Sequence, residues 1–357
     1  MLGIIRIYLL HYFQSWLHIR MKPRTLQLPV TSKCNSRCVT CNIWKYKEKS
    51  DIDPIALKTV LSNPFFSRVK SVGLNGGEPF LHPEFVEVVK AVLSLKRIKH
   101  ITVISNCICQ EKTLKTLAEI YPLCKQKNVK LHMQISIDGV HAIHNKVRGV
   151  KISFDRSLKV IQTLKKNPGV YVDNFDLGYT ISKYNVDYMV QTKEYFQNLK
   201  IPIYFHLAVP NKRIHNFNNA PFSVLTEKHA TQMAKEFFYS MPIHEKKIIQ
   251  KIRYTLIYLY LAGKTSKRMF ICDYLYSDIT INEIFDTFLC ATASDKVGNL
   301  LEKIPTYKEY NSLVEPTSKH CDTCIHYANV PSLLGLYTFF IYKIKTFKHI
   351  QRYNIFS

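Results

Sequence analysis

A chain of 357 residues with 46% hydrophobic and 21% charged residues has the make-up of a folded globule, which excludes a disordered, a collagenous and a multi-span membrane protein. The length suffices for two packed domains, because single cores tend to split beyond roughly 250 residues. Lys and Arg total 50 against 26 acidic residues, a formal net charge of +24, but they are spread along the chain with no compact basic block. Specific nucleic-acid binding is therefore not expected, and a lysine-rich source composition accounts for the surplus.

The ten cysteines stand at metal-ligand spacings with no cleavable signal peptide ahead of them, which points to a reducing cytoplasm. Leu2 to Ile19 is largely apolar but is broken by Arg6, His11, Gln14 and His18, short of the roughly 20 apolar residues of a membrane span. With Tyr12, Phe13 and Trp16 beside Arg6, Arg20, Lys22 and Arg24, residues 1–24 read as an amphipathic segment. It suits either peripheral membrane contact or docking on the outside of the fold.

From Thr25 onward, β-rich runs alternate with segments of helical period, the pattern of an α/β fold with repeated β-α units around a parallel sheet. The first expected strand, Thr25–Val30, leads into Cys34, Cys38 and Cys41. A helix over Ile55–Leu61 follows, announced by Asp53-Pro54 as cap and first-turn proline. The second strand, Val69–Leu74, ends in Asn75-Gly76-Gly77-Glu78-Pro79, and Pro83 opens a helix to Leu95. The third, Ile101–Ser105, delivers Asn106 before a helix over Lys112–Lys125. The fourth, Lys130–Ile137, ends in Ser136-Ile137-Asp138-Gly139, followed by His141, His144 and Arg148-Gly149. A helix over Ser153–Lys166, a strand Phe175–Ile181, a helix Val186–Asn198 capped by Asn185 and a sixth strand Ile203–Val209 complete the run. Every motif thus falls at the carboxyl end of a strand, where the chemistry of parallel sheets and barrels collects. Residues 25–230 form this unit, and residues 231–262 a helical connector. Residues 263–332 form a small domain with Cys272, Cys290, Cys321 and Cys324, and residues 333–357 a basic aromatic tail with Lys343, Lys345, Lys348 and Arg352.

Three thiolates in one loop suit an iron-sulfur cluster with one iron left open; a zinc site completed from elsewhere and incidental cysteines fit the spacing too. The two later cysteine pairs fit a structural zinc equally well. Cys107, Cys109 and Cys124 fall outside both groups and read as buried structural residues. His132 and His206 lie on strands, where a lone histidine is usually packed.

Cys34-x3-Cys38-x2-Cys41 after a first strand, with Gly76-Gly77-Glu78-Pro79 after the second, resembles the radical SAM superfamily. The resemblance implies a partial (β/α)6 barrel and a [4Fe-4S] cluster on Cys34, Cys38 and Cys41. It also implies S-adenosylmethionine bound by Gly76, Gly77, Glu78, Pro79, Asn106, Ser136 and Arg148, and electrons from a flavodoxin- or ferredoxin-type donor. In such enzymes a 5′-deoxyadenosyl radical removes a substrate hydrogen. Thr40 stands where an aromatic residue is usual, passing the packing over adenine to Ile43 or Trp44, and Cys107 replaces the glycine of a Thr-Asn-Gly pattern. Cys272-x17-Cys290 with Cys321-x2-Cys324, and Gly298-Asn299-Leu300 between them, resembles the SPASM or twitch domain and implies an auxiliary [4Fe-4S] cluster. Phe285 stands where that hairpin normally has glycine. Four thiolates leave that cluster no open iron, which favours electron relay and hence oxidation of a sugar- or cyclitol-like small molecule. Maturation of a ribosomal peptide is the alternative, and a non-catalytic zinc or iron-sulfur protein a remote one.

Overall fold

The computed structural model describes residues 8–9, 12–13, 17, 19–216, 220–313, 321–326 and 330–354. Six parallel strands follow one another in sequence order: β1 (Thr25–Thr31), β2 (Ser71–Gly76), β3 (His100–Ser105), β4 (Lys130–Ser136), β5 (Asn174–Ile181) and β6 (Ile203–Leu207). Between them run α1 (Pro54–Ser62), α2 (Phe85–Leu93), α3 (Gln110–Gln126), α4 (Ala142–Arg148), α5 (Ser153–Lys166) and α6 (Met189–Asn198). This is the α/β architecture of a partial radical SAM barrel. Its strand faces divide by the two-residue period. Leu26, Leu28, Val72, Leu74, Val103, Leu131, Met133 and Ile135 are fully buried in the layer shared with the helices. Gln27, Asn75, Ile104 and Gln134 point the other way, into the lumen.

The lumen side is held by polar pairs rather than by an apolar plug. Asn75 Nδ2 donates to Gln27 Oε1 at 3.0 Å, and Asp176 accepts from Gln134 Nε2 at 3.0 Å while pairing with His132 Nε2 at 3.0 Å. His132 is thus engaged at the floor and does not project freely into the mouth.

Expectation and structure part at some helix starts. Asp53 caps α1, its carboxylate accepting from Ile55 N and Ala56 N. Asn185 caps nothing: its side chain accepts from Ser182 N and donates to the carbonyls of Asp138 and Thr180, tying the ends of β4 and β5 together. Pro83 lies two residues ahead of α2, which begins at Phe85 without a side-chain cap.

The connector forms α7 (Lys228–His244) and α8 (Ile248–Leu261), packed with Tyr179 and Phe205 of β5 and β6 in a second hydrophobic cluster. Beyond it, β7 (Asp278–Ile281) pairs in parallel with β1, and β8 (Asp286–Phe288) and β9 (Lys296–Asn299) add antiparallel, so the cysteine-bearing hairpin continues the barrel sheet. A short α9 (Tyr307–Ser312) and the tail helix α10 (Leu333–Asn354) follow. Phe339 of α10 is buried against α8, while Tyr337, Phe340 and Ile344 stay exposed; the side chains of Lys345, Lys348 and Arg352 lie outside the described residues, as do Arg6, His11, Gln14, Trp16 and His18. Among the described residues no helix is long and apolar enough to cross a membrane.

Arg20 corrects the reading of residues 1–24. Its side chain is fully buried, not part of a basic surface. The guanidinium donates to the carbonyls of Leu275 at 3.0 Å and Tyr274 at 2.8 Å and lies 4.8 Å over the Tyr310 ring.

Candidate active site

The cysteine loop leaves β1 and is fastened on three sides. Thr31 O accepts from Gly77 N at 2.7 Å and Lys33 O from Glu78 N at 2.8 Å, which zips it to the loop after β2. A Cβ on Gly77 would stand 2.0 Å from Lys33 O, and Gly76 sits at φ +125°, so both glycines are required by this backbone contact before any ligand is considered. On the opposite side Arg37 N and Val39 N donate to Arg148 O and Val147 O at the end of α4. Asn106 closes the third side, donating to Asn35 Oδ1 at 2.8 Å and Ser36 Oγ at 3.1 Å.

Glu78 is 1% exposed and accepts from Ser105 Oγ at 2.7 Å, Asn106 N at 2.8 Å and Phe80 N at 3.3 Å. Burial pushes its carboxyl up to about 7 despite these donors. Its observed task is to lock the turn after β3 to the turn after β2, while Pro79 starts the short 3-10 turn Pro79–Leu81. Arg148 pairs with Asp138 at 2.7 Å and reaches Cys38 Sγ at 3.7 Å, and its Nε is buried without an acceptor. Ser136 ends β4, half-buried, beside Gly178.

The three thiols stand free. Burial pushes Cys34 up to about 12 and raises Cys38 and Cys41 too. Arg148 opposes the rise at Cys38, and the Ile43 amide with Arg213 opposes it at Cys41. Thiols in that state become thiolates when a metal displaces their protons. Ile43 is buried and Trp44 Nε1 donates to Cys38 O at 3.3 Å, so both residues offered in place of the missing aromatic lie against the cysteine loop. Cys107 and Cys124 are buried as expected, but Cys109 is half-exposed and accepts from Asn35 Nδ2 at 3.2 Å beside the loop. Cys107 also takes φ 58°, the left-handed conformation that the family's glycine adopts without strain.

The second group is assembled by a residue that no spacing announces. Arg268 donates to the carbonyls of Phe270 at 2.7 Å, Cys324 at 3.0 Å and His326 at 3.2 Å, folding the segment of Cys324 back toward Cys272. Burial pushes Cys272 up to about 12, Arg268 lowers it, and Cys290 and Cys324 raise it further, so these thiols feel one another's charge. Cys321 sits one turn before Cys324, whose N donates to its carbonyl at 3.4 Å. Asn299 of the Gly-Asn-Leu stretch holds the hairpin turn, donating to Ile284 O at 2.7 Å.

A cavity of about 600 Å³ opens between the two groups. Gly76 borders it on one side, and Ala291 beside Cys290 with Ile325 and His326 beside Cys324 on the other. Gln27, Asn75 and Gln134 line the barrel side, Gln250 and Arg253 the α8 side. His206 lines it as well, with Nε2 2.9 Å from Thr180 Oγ1, rather than packing into the core. The enclosing protein, then Arg253, holds this imidazole far below its ordinary value, and burial and Arg268 do the same for His326. Both rings are neutral near pH 7.

Residues 28–196 match the model of the Radical SAM superfamily. Among curated proteins, the GTP 3′,8-cyclase of Synechocystis sp. is 29% identical over 122 residues, 33% of this chain and 35% of that protein. The Fe-coproporphyrin III synthase of Methanosarcina barkeri is 25% identical over 224 residues, 61% of this chain and 51% of that protein. The chain thus spans between about a third and a half the length of such relatives. Among solved structures, Streptococcus suis SuiB bound to S-adenosylmethionine aligns over 84% of this chain and 68% of its own, with 14% identity and a TM-score of 0.57. Native anSMEcpe with bound AdoMet and a Cp18Cys peptide aligns over 93% and 99%, with 16% identity and a TM-score of 0.57. At such identities the likeness is one of fold.

A [4Fe-4S] cluster and S-adenosylmethionine are the cofactors of such a domain, and the residues fit both. Three free thiols share one loop, and the buried, unsatisfied Nε of Arg148 lies beside them. Among the described residues no three His, Cys, Asp or Glu side chains close on one point as a single ion requires, whereas a cluster takes one thiolate per iron. Strand order, cysteine loop and sequence match agree on one conclusion: the chain carries, over residues 28–196, a radical SAM domain.

Proposed function

We propose that this protein is a radical SAM oxidoreductase acting on a polar, sugar- or cyclitol-like small molecule. The cluster would sit on Cys34, Cys38 and Cys41, and an auxiliary cluster on Cys272, Cys290, Cys321 and Cys324. The carrying observation is the cavity, which runs from Gly76 to Ala291 and His326 and so touches the borders of both cysteine groups.

When bound, the cluster and S-adenosylmethionine supply a 5′-deoxyadenosyl radical and the auxiliary cluster a one-electron acceptor. The chain's residues do the rest. Gly76, Gly77 and Pro79 present backbone to the methionine end, with Glu78 and Asn106 fixing that backbone, while Ser136 and Arg148 offer a hydroxyl and a guanidinium on the far side. The amides of Gln27, Asn75 and Gln134 hold substrate hydroxyls, and the neutral His206 and His326 accept hydrogen bonds from them. With the cofactors bound, the chain would hold a carbinol carbon in the cavity to lose its hydrogen atom to the radical and one electron to the acceptor, leaving its hydroxyl proton free to pass to water. The product is a carbonyl.

A second reading, maturation of a peptide, is favoured by the structural likeness to SuiB bound to its precursor peptide SuiA and to anSMEcpe with a peptide. The cavity's volume lies within the usual range of small-molecule sites and supports the first. Reconstituted protein given dithionite and S-adenosylmethionine should release 5′-deoxyadenosine, and Cys38→Ala should stop the release. Undiminished release by Cys38→Ala removes the assignment of the first cluster.

A further inference from the structure

We propose that the hydrogen donor is an anionic small molecule, a carboxylate or a phosphate ester, whose charge is held by Arg253 with Gln250 beside it on the α8 wall of the cavity. The inference rests on the reading of this cavity as the substrate site and specifies what fills it.

Three other arginines in sheltered positions have their charge engaged by protein groups, although Nε of Arg20 and of Arg148 lacks an acceptor. Arg20 donates to backbone carbonyls and the Tyr310 hydroxyl, Arg148 to Asp138, and Arg268 to four carbonyls. Arg253 differs. Among the described residues its guanidinium makes no hydrogen bond or ion pair, its Nε is buried without an acceptor, and no aspartate or glutamate is among the residues lining the cavity. Burial pushes its guanidinium below the ordinary arginine range, the direction of a desolvated cation without a counter-ion. A buried, uncompensated charge is costly, and a site built to take an anion accounts for it.

The neighbouring group completes the match. Gln250 lies three residues earlier on α8, hence on the same face, and its Oε1 is buried without a donor. A guanidinium lacking an acceptor beside an amide oxygen lacking a donor complements an anionic group that carries a hydroxyl nearby. The opposite wall offers the amides of Gln27, Asn75 and Gln134 to further hydroxyls. The cavity's other arginine, Arg213, already feels Cys41 and Glu283. Arg253 is thus the cation with charge to spare.

Thermal unfolding of the reconstituted protein with S-adenosylmethionine tests this, using inorganic phosphate and gluconate as probes against glucose and chloride at equal ionic strength. At least one of the two anions should raise the midpoint by about 2 °C or more, with glucose and chloride inert. A response to phosphate alone identifies a phosphate ester, and one to gluconate alone a carboxylate. Arg253→Met should unfold no earlier than the parent without anion, because an unpaired buried charge is gone, and should bind the active anion at least tenfold more weakly by calorimetry. Arg253→Lys, which keeps the charge, should recover part of that affinity and serves if the methionine variant does not fold. The proposal is overturned if neither anion shifts the parent, or if both variants bind the anion as tightly as the parent does. Binding needs no turnover, so the two readings fail separately. Anion binding without 5′-deoxyadenosine release sinks the proposed reaction alone, and release without anion binding sinks this inference alone.

Discussion

Burial leaves His144 Nε2 without a partner while Nδ1 accepts the Asp138 N–H at 3.1 Å, so the ring is held neutral with its proton on Nε2. Desolvation, then the nearby Arg148 charge, pushes this histidine well below its ordinary value of about 6.5. As pH falls below that value the unfolded chain takes up a proton that the folded one refuses, so stability is present above about pH 6.5 and drains away below it. The slope approaches about 1.4 kcal/mol per pH unit. His144→Gln should flatten it: denaturant unfolding at pH 7.5 and 5.5 should show a smaller acid loss than in the parent, whatever the variant's baseline stability. An equal loss in both would mean the proton is not resisted at this ring. The sequence displayed His144 but not this role, which depends on Asp138 and Arg148 meeting it in space. Arg253 and Arg268 were equally silent, since one has no partner among the described residues and the other's partners are backbone carbonyls, which carry no side-chain signature.

Elements were legible where local chemistry and tertiary packing agree. Ser153–Lys166 is helical over the residues its apolar spacing marks, with Phe154, Ser157, Val160, Ile161 and Leu164 buried on one face. The seven-residue α4 between Gly139 and Gly149 was missed because its sequence offers only two buried positions, His144 and Val147. The turn between β7 and β8 shows tertiary contact overriding local preference. Phe285 occupies φ 65°, the left-handed region that favours glycine, and its N–H donates to Asn282 O at 2.9 Å to close the turn. A left-handed conformation costs a non-glycine residue about 1–2 kcal/mol. The ring, however, is 3% exposed within the main hydrophobic cluster, and removing a buried phenylalanine costs about 3–5 kcal/mol. Burial wins, so Phe285→Gly, although it relieves the strained backbone, should destabilise the protein by about 2–3 kcal/mol. Calorimetric unfolding decides it, and a more stable variant would mean that the turn, not the ring, dominates.

At the scale of the whole molecule, the sequence suggested separate pieces in a row, and the structure joins them through contacts between residues far apart in the chain. β7 pairs with β1, Met21 N donates to Tyr276 O at 2.7 Å, and Arg24 N donates to Ser277 O at 2.9 Å. Arg20 is the centre of this junction. Its head group holds the carbonyls of Tyr274 and Leu275, the short turn that directly follows Cys272, and Tyr307 OH donates to its carbonyl at 2.8 Å. Removing a buried guanidinium leaves those acceptors dry, a loss of about 3 kcal/mol or more. The damage falls on the Cys272 turn, and the cysteine loop after β1 keeps its own fastenings to Gly77, Asn106 and Arg148. Arg20→Met should therefore act unevenly. Anaerobically reconstituted parent protein should carry about eight irons per chain if each cysteine group holds a four-iron cluster. The variant should fall toward four and still release 5′-deoxyadenosine from S-adenosylmethionine. Iron analysis beside that release assay separates the outcomes: an intact count of eight would show that the Cys272 turn does not depend on Arg20, and equal loss of iron and release would show that the two sites fold as one.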